Sequence, residues 1–281
     1  MDVRLPVRVA AVGDLHCTRT SQRAFQPLFA AARANADVLL LCGDLTDYGL
    51  PEEARVLARD LATVLRIPAV GVLGNHDYES GQHEVVVQIL REVGVVILDG
   101  DGCEVAGLGI GGVKGLGGGF GERALQPRGE DIMKRFVRET VDGVLKFESA
   151  LARLRTLRRV AILHYSPIQA TVEGEPPELC PFLGSSRLEE PLNRYPVDLV
   201  FHGHAHHGQA EARTRTGVPV YNVCLPLLRD LDPDRSPVRI VELPAAAAPE
   251  GKTGGPGLGP SASARVIRTG LARPGPRRTP P

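Results

Sequence analysis

A chain of 281 residues has room for one large domain or two small ones. Hydrophobic residues make up 43% and charged residues 23%, the balance of an ordinary soluble globular protein. Thirty-three cations stand against thirty-three acids, which argues against a dedicated nucleic-acid binder.

In chain order, short apolar runs rich in Val, Leu and Ile fall at Val7–Val12, Val38–Cys42, 69–73, 160–163 and 199–201. Such runs predict strands buried on both faces. Helical patterns separate the first three. Residues 20–36 place Phe25, Leu28, Phe29 and Ala32 on one face, and residues 51–66 open with Pro51 and two acids, a helix-start signature. Further strands are predicted at 95–98, 104–110, 218–223 and 238–243. Apolar spacing over 130–157 predicts a long amphipathic helix with a break near Gly143. Alternating strands and helices imply a layered α/β fold.

The five cysteines, Cys17, Cys42, Cys103, Cys180 and Cys224, form no C-x-x-C. A disulfide framework or structural zinc site is therefore not expected. No apolar run reaches membrane-spanning length and the first residues carry no signal-peptide core, so a cytoplasmic setting away from membranes is expected.

The chemistry sits in short blocks at the ends of the apolar runs. They are Gly13-Asp14-Leu15-His16, Gly43-Asp44-Leu45-Thr46-Asp47, Gly74-Asn75-His76-Asp77, a lone His164, and Gly203-His204-Ala205-His206. A hydrolytic centre with two cations about 3.5–4 Å apart needs carboxylates and imidazoles from several segments, one carboxylate being shared. Asp14, His16, Asp44, Asn75, His164, His204 and His206 suffice for one.

At these residues the chain resembles the calcineurin-like metallophosphoesterase family, whose pattern reads D-x-H, G-D-x-x-D, G-N-H-[D/E], H, G-H-x-H. All elements are present and in order. The resemblance implies a sandwich of two facing β-sheets flanked by helices. It makes Asp14, His16 and His206 ligands of a first metal, Asp44 the bridge, and Asn75, His164 and His204 ligands of a second. Mn²⁺, Fe²⁺, Zn²⁺ or Co²⁺ all suit this mixed ligation. It also places His76 over the phosphate to protonate the leaving oxygen, with Asp77 behind it as orienting carboxylate. Asp47 is expected behind the ligands or at a helix start, and His202 buried in its strand. The implied reaction is attack of a metal-bridging hydroxide on a small-molecule phosphoester. Diesters stand ahead of monoesters, because an acid at His76 assists a poor alkoxide leaving group. Phosphatase and pyrophosphatase chemistry on the same site, or a non-enzymatic binding scaffold, are the rival readings. No ligand position is missing, which disfavours the scaffold.

Two loops are candidates for substrate selection. Residues 107–121 hold nine glycines and Lys114, and fit either a mobile flap or an irregular strand connection. Residues 171–187 end in Ser185-Ser186-Arg187, where Arg187 could clamp a phosphate and the serines equally fit a helix cap. The catalytic domain is expected to span 1–243. Residues 244–281 contain eight prolines, seven glycines and six cations against one acid, and are expected to be a disordered basic tail.

Overall fold

The computed structural model describes residues 5–245 and 265–267. The chain runs through β1 (Val7–Val12), α1 (Gln26–Asn35), β2 (Val38–Cys42), α2 (Pro51–Val64), β3 (Ala69–Val72), α3 (His83–Glu92) and β4 (Val95–Ile97). It continues with β5 (Asp101–Val105), β6 (Leu108–Val113), α4 (Asp131–Arg153), β7 (Arg158–Leu163), α5 (Cys180–Leu183), α6 (Glu189–Arg194) and β8 (Leu199–His202). It closes with β9 (Glu211–Arg213), β10 (Pro219–Asn222), α7 (Leu225–Leu231), β11 (Arg239–Leu243) and β12 (Arg265–Ile267).

The strands form two sheets, a five-stranded one ordered β11-β1-β2-β3-β4 and a seven-stranded one ordered β12-β5-β6-β7-β8-β10-β9. The two-residue period of a strand sorts its side chains between two cores. In β1 and β2, Val9, Ala11, Val38, Leu40 and Cys42 face the second sheet, against Ile110, Ile162 and Phe201. Ala10, Val12, Leu39 and Leu41 face outward onto α1, α2 and α3. The outer face of the second sheet is covered by α4 and α6 through Phe147, Leu151 and Leu192. The result is the expected sandwich of two sheets between helices.

Several elements differ from expectation for identifiable reasons. Residues 104–110 are two strands, because Ala106 and Gly107 both take positive φ (51° and 76°) and turn the chain in a two-residue hairpin. Residues 108–113 of the glycine-rich stretch are therefore β6. Gly111 lies there because a Cβ would meet the Leu151 side chain at 2.8 Å, so glycine lets α4 approach the sheet. The long helix α4 runs unbroken through Gly143, whose position is open to solvent and needs no kink. Helix α1 begins only at Gln26, since Asp60 accepts from the Arg23 and Phe25 N–H groups and holds the preceding turn. The Pro/Gly-rich tail was expected to lack structure, yet Arg265–Ile267 pair antiparallel with Gly102–Glu104 as β12. The rest of that tail beyond Ala245 lies outside the described residues.

Candidate metal centre

Five parallel strands, three from one sheet and two from the other, end at one place. Asp14 follows β1, Asp44 follows β2, Asn75 follows β3, His164 follows β7 and His204 follows β8. Beyond β1 and β2 the two loops stay paired: the Asp14 N–H donates to the Gly43 carbonyl at 2.9 Å and the His16 N–H to the Asp44 carbonyl at 3.0 Å. Leu15 and Leu45, buried in the helix-side core, pin both loops down.

The residues singled out in the sequence gather there as two clusters. Asp14, His16 and His206 offer ligand atoms that all lie within 4.8 Å of one another, and so do Asp44, His164 and His204. Asn75 joins the second cluster, its Oδ1 2.9 Å from His164 Nε2. Asp44 connects them. Its Oδ1 accepts the His76 N–H at 2.8 Å, while its Oδ2 lies 3.4 Å from His164 Nε2 and 3.9 Å from His16 Nε2.

Three of the four imidazoles are turned by a contact on the nitrogen away from the cluster, while His206 Nε2 lies 3.2 Å from Asp14 Oδ1. His164 Nδ1 is 2.9 Å from the Cys42 carbonyl, His16 Nδ1 is 3.2 Å from Asp47 Oδ1, and His204 Nε2 is 3.1 Å from the Phe182 carbonyl. Such acceptors fix the tautomer and leave the opposite lone pair for a metal. His16 Nε2 is buried and has no hydrogen-bond partner, a costly state for a polar atom unless a cation sits against it. The donor set of imidazoles, carboxylates and one amide oxygen thus fits divalent transition-metal ions.

Four of these residues carry a backbone the sequence did not reveal. Asp14, His16, Asp44 and His204 have φ of 56°, 44°, 47° and 72°. The ligands themselves thus form the tight turns, together with Gly43 at φ 85°. Gly74 and Gly203 serve a different need: a Cβ on Gly74 would overlap Asp44 Oδ1, and one on Gly203 would overlap Asp14 Oδ2.

Burial raises the Asp44 carboxyl, but the His164 charge and hydrogen bond outweigh it and hold its pKa below the usual carboxylate range. Burial lowers His164, but the attraction of Asp44 holds it above the usual imidazole range. His204 is pushed down to about 3 by burial and then by the nearby His164 charge. A cation bound here would take the place of the His164 proton.

His76 sits at the rim, its ring edge-on to His16 with centroids 4.5 Å apart and its Nδ1 2.7 Å from the Asp47 carbonyl. Asp77 does not orient it. The Asp77 carboxylate accepts from the Thr46 hydroxyl and N–H at 2.6 and 2.8 Å, from Gly74 N–H at 2.8 Å and from Leu45 N–H at 3.2 Å. In the 3₁₀ turn His76–Tyr78 successive side chains diverge by about 120°, so a rim position for His76 sends Asp77 inward. Burial, and then the Asp44 charge, raise the Asp77 pKa to about 6. Its role is to tie the loop after β3 to the loop after β2, and Asp47 is the residue that touches both His16 and His76. Asp47, His16 and His76 also form a third group of close ligand atoms.

The two candidate substrate residues part company. Arg187 donates to the Leu125 carbonyl at 2.9 Å, so it holds the segment that follows the glycine-rich loop and is not placed as a phosphate clamp. Ser185 Oγ accepts the Arg187 N–H and caps the turn leading into α6. Lys114 lies beside the centre, its Nζ 5.1 Å from the Tyr165 ring, which in turn lies 4.4 Å from the His204 ring. His202 is fully buried, with Nε2 2.8 Å from Thr171 Oγ1.

Among the described residues no helix is long and apolar enough to cross a membrane. No curated protein sequence matches the chain. Among solved structures, the phosphopantetheinyl hydrolase of Mycobacterium tuberculosis is similar in fold, with a TM-score of 0.60 at 17% identity over 90% of this chain and 100% of that one. A putative 5′-nucleotidase from Staphylococcus aureus aligns at a TM-score of 0.49 and 14% identity, over 77% of this chain and 48% of that one. The profile of the calcineurin-like phosphoesterases matches residues 7–208, most of the chain and every ligand block. With that match and two ligand clusters meeting at Asp44, the chain belongs to the calcineurin-like phosphoesterase family and is a metal-dependent phosphoester hydrolase.

Proposed function

We propose that the protein hydrolyses a small-molecule phosphoester, with a preference for diesters, at a centre of two divalent cations. Asp14, His16 and His206 hold one cation and Asn75, His164 and His204 the other, with Asp44 shared between them. The observation that carries this reading is the position of Asp44 Oδ2, within 3.9 Å of His16 Nε2 in one cluster and 3.4 Å of His164 Nε2 in the other. Cations held there supply a water of lowered pKa and offset charge on the phosphoryl oxygens.

The chain does the rest. Hydrogen bonds donated to Asp47, the Cys42 carbonyl and the Phe182 carbonyl hold three imidazoles in place before any ligand arrives, so little reorganisation accompanies the reaction. With Nδ1 directed to the Asp47 carbonyl, His76 has Nε2 left to face the substrate and pass a proton to the leaving oxygen. That step helps an alkoxide most, which favours the diester reading. Metal analysis of the purified protein with a panel of mono- and diesters tests both parts. Two equivalents per chain and faster turnover of alkyl diesters are expected. A single equivalent at saturation, or turnover of monoesters alone, overturns the corresponding part.

A further inference from the structure

A cavity of about 290 Å³ opens next to the centre, at the carboxyl ends of β3 and β4 and along α3. Leu73, Ile97 and Leu98 make part of its lining apolar, while the cations Lys114 and Arg91 stand on its wall with the acids Glu84, Asp99 and Asp101, so an anion is accepted only at the Lys114 end, next to the centre. One stretch of chain serves both places. Between Leu73 and Tyr78, which line the cavity, lie Asn75 and His76, which belong to the centre. A substrate with phosphorus over the metals and a leaving group passing His76 therefore meets this cavity next.

Lys114 marks the boundary. Its Nζ donates to the Gly115 carbonyl at 3.1 Å and lies 5.3 Å from the Tyr78 ring and 5.1 Å from the Tyr165 ring. Ring faces and a carbonyl stabilise an ammonium without cancelling its charge. Burial lowers the Lys114 pKa, while Asp99, Glu139 and Asp44 act against that shift. A half-buried cation on a cavity wall interacts more strongly with an anion than one in water, because the surroundings are less polarisable. The volume suits a ring or a short chain and excludes a polymer.

We propose that this cavity receives the leaving group of the substrate, and that the group it selects is a small organic alcohol bearing a second anionic substituent, a phosphate or a carboxylate, paired with Lys114. The proposal rests on the phosphoesterase reading of the neighbouring centre.

The test uses metal-loaded protein and three esters of matched shape: phenyl phosphate, 3-carboxyphenyl phosphate and 3-phosphonophenyl phosphate, each also as its methyl diester. Wild type should favour one or both anionic esters over the phenyl ester, and which of the two it favours identifies the substituent. In Lys114→Met the ratio of kcat/KM for anionic over neutral ester should fall at least about tenfold, mainly through KM, as expected when one partner of a desolvated charge pair is removed. Lys114→Arg keeps the charge and should keep most of the preference, which separates the charge from damage to the fold. A wild type without preference, or an unchanged ratio in Lys114→Met, overturns the proposal. Should none of the esters turn over, the phosphoesterase reading fails by itself. Equilibrium binding of 3-hydroxyphenylphosphonate then decides the cavity: weaker binding in Lys114→Met supports it, and equal binding rejects it.

Discussion

The two ligand clusters that meet at Asp44 differ in their surroundings. In one, the side chains of His16 and His206 are 22% and 35% exposed; in the other, His164 is 0% exposed and Asp44 2%. Both draw on strand ends, but His16 and His206 stand where loops face solvent, while His164 is enclosed between β2 and β8 and held by the Cys42 carbonyl. Burial removes competing water and keeps the ligands in place, so a cation held by the His164 cluster should exchange more slowly than one held by the His16 cluster.

The shared residue gives the largest expected effect. Asp44→Asn removes charge from both clusters, so it should lower metal content at both positions and cut turnover by several orders of magnitude, read by elemental analysis and ester hydrolysis. Retention of both metals and of activity would break the bridging assignment. Next in size is a pair of substitutions that treats the clusters separately. His206→Ala should lose the exchangeable equivalent alone, with turnover down on the order of 10²–10³-fold, the scale of one preorganised electrostatic contact. His164→Ala should lose the retained equivalent. Chelator titration followed by metal analysis distinguishes them, and identical release curves in wild type would refute the contrast in exchange.

His76→Gln removes no ligand of either cluster and keeps the backbone N–H that Asp44 accepts, so it should leave metal content intact. Rates on alkyl esters should fall about 10²–10⁴-fold, and rates on nitrophenyl esters much less, because a nitrophenolate leaves without a proton. Metal loss in this variant would instead make the third group, Asp47, His16 and His76, a ligand set. The smallest effect lies far from both clusters. Removing residues 249–281 deletes β12 and the packing of Ile267 on the second sheet, at a cost of about 1 kcal/mol. The melting temperature should drop by about 2–4 °C with turnover unchanged. No shift would mean that the β12 pairing contributes nothing in solution.

The strands and the ligands were legible in the sequence because each signal is local. Continuous runs such as Val38–Cys42 mark strands buried on both faces, and a ligand block stands where each run stops. What escaped depends on direction and on distant partners. Asp77 lies next to His76 in sequence, and only the 3₁₀ turn shows that the two side chains diverge. The Ala106-Gly107 turn lacks the Asn-Gly signature of two-residue hairpins. In a Pro/Gly-rich segment, a three-residue strand such as Arg265–Ile267 has no periodicity of its own and owes its pairing to the edge of β5. Arg187 illustrates the same limit, since a lone arginine near a site is equally suited to phosphate or to a backbone carbonyl.

The left-handed backbone at Asp14, His16, Asp44 and His204 has an evolutionary corollary. Each such residue costs on the order of 1 kcal/mol that a glycine there would not, so the centre opposes folding while it prepares for chemistry. Selection for stability alone would erode these positions toward Gly or Asn, and a copy of this chain relieved of its activity should lose its ligands there first. Directed evolution for thermal tolerance without a turnover screen would be expected to follow the same route, yielding sturdier proteins that no longer bind metal.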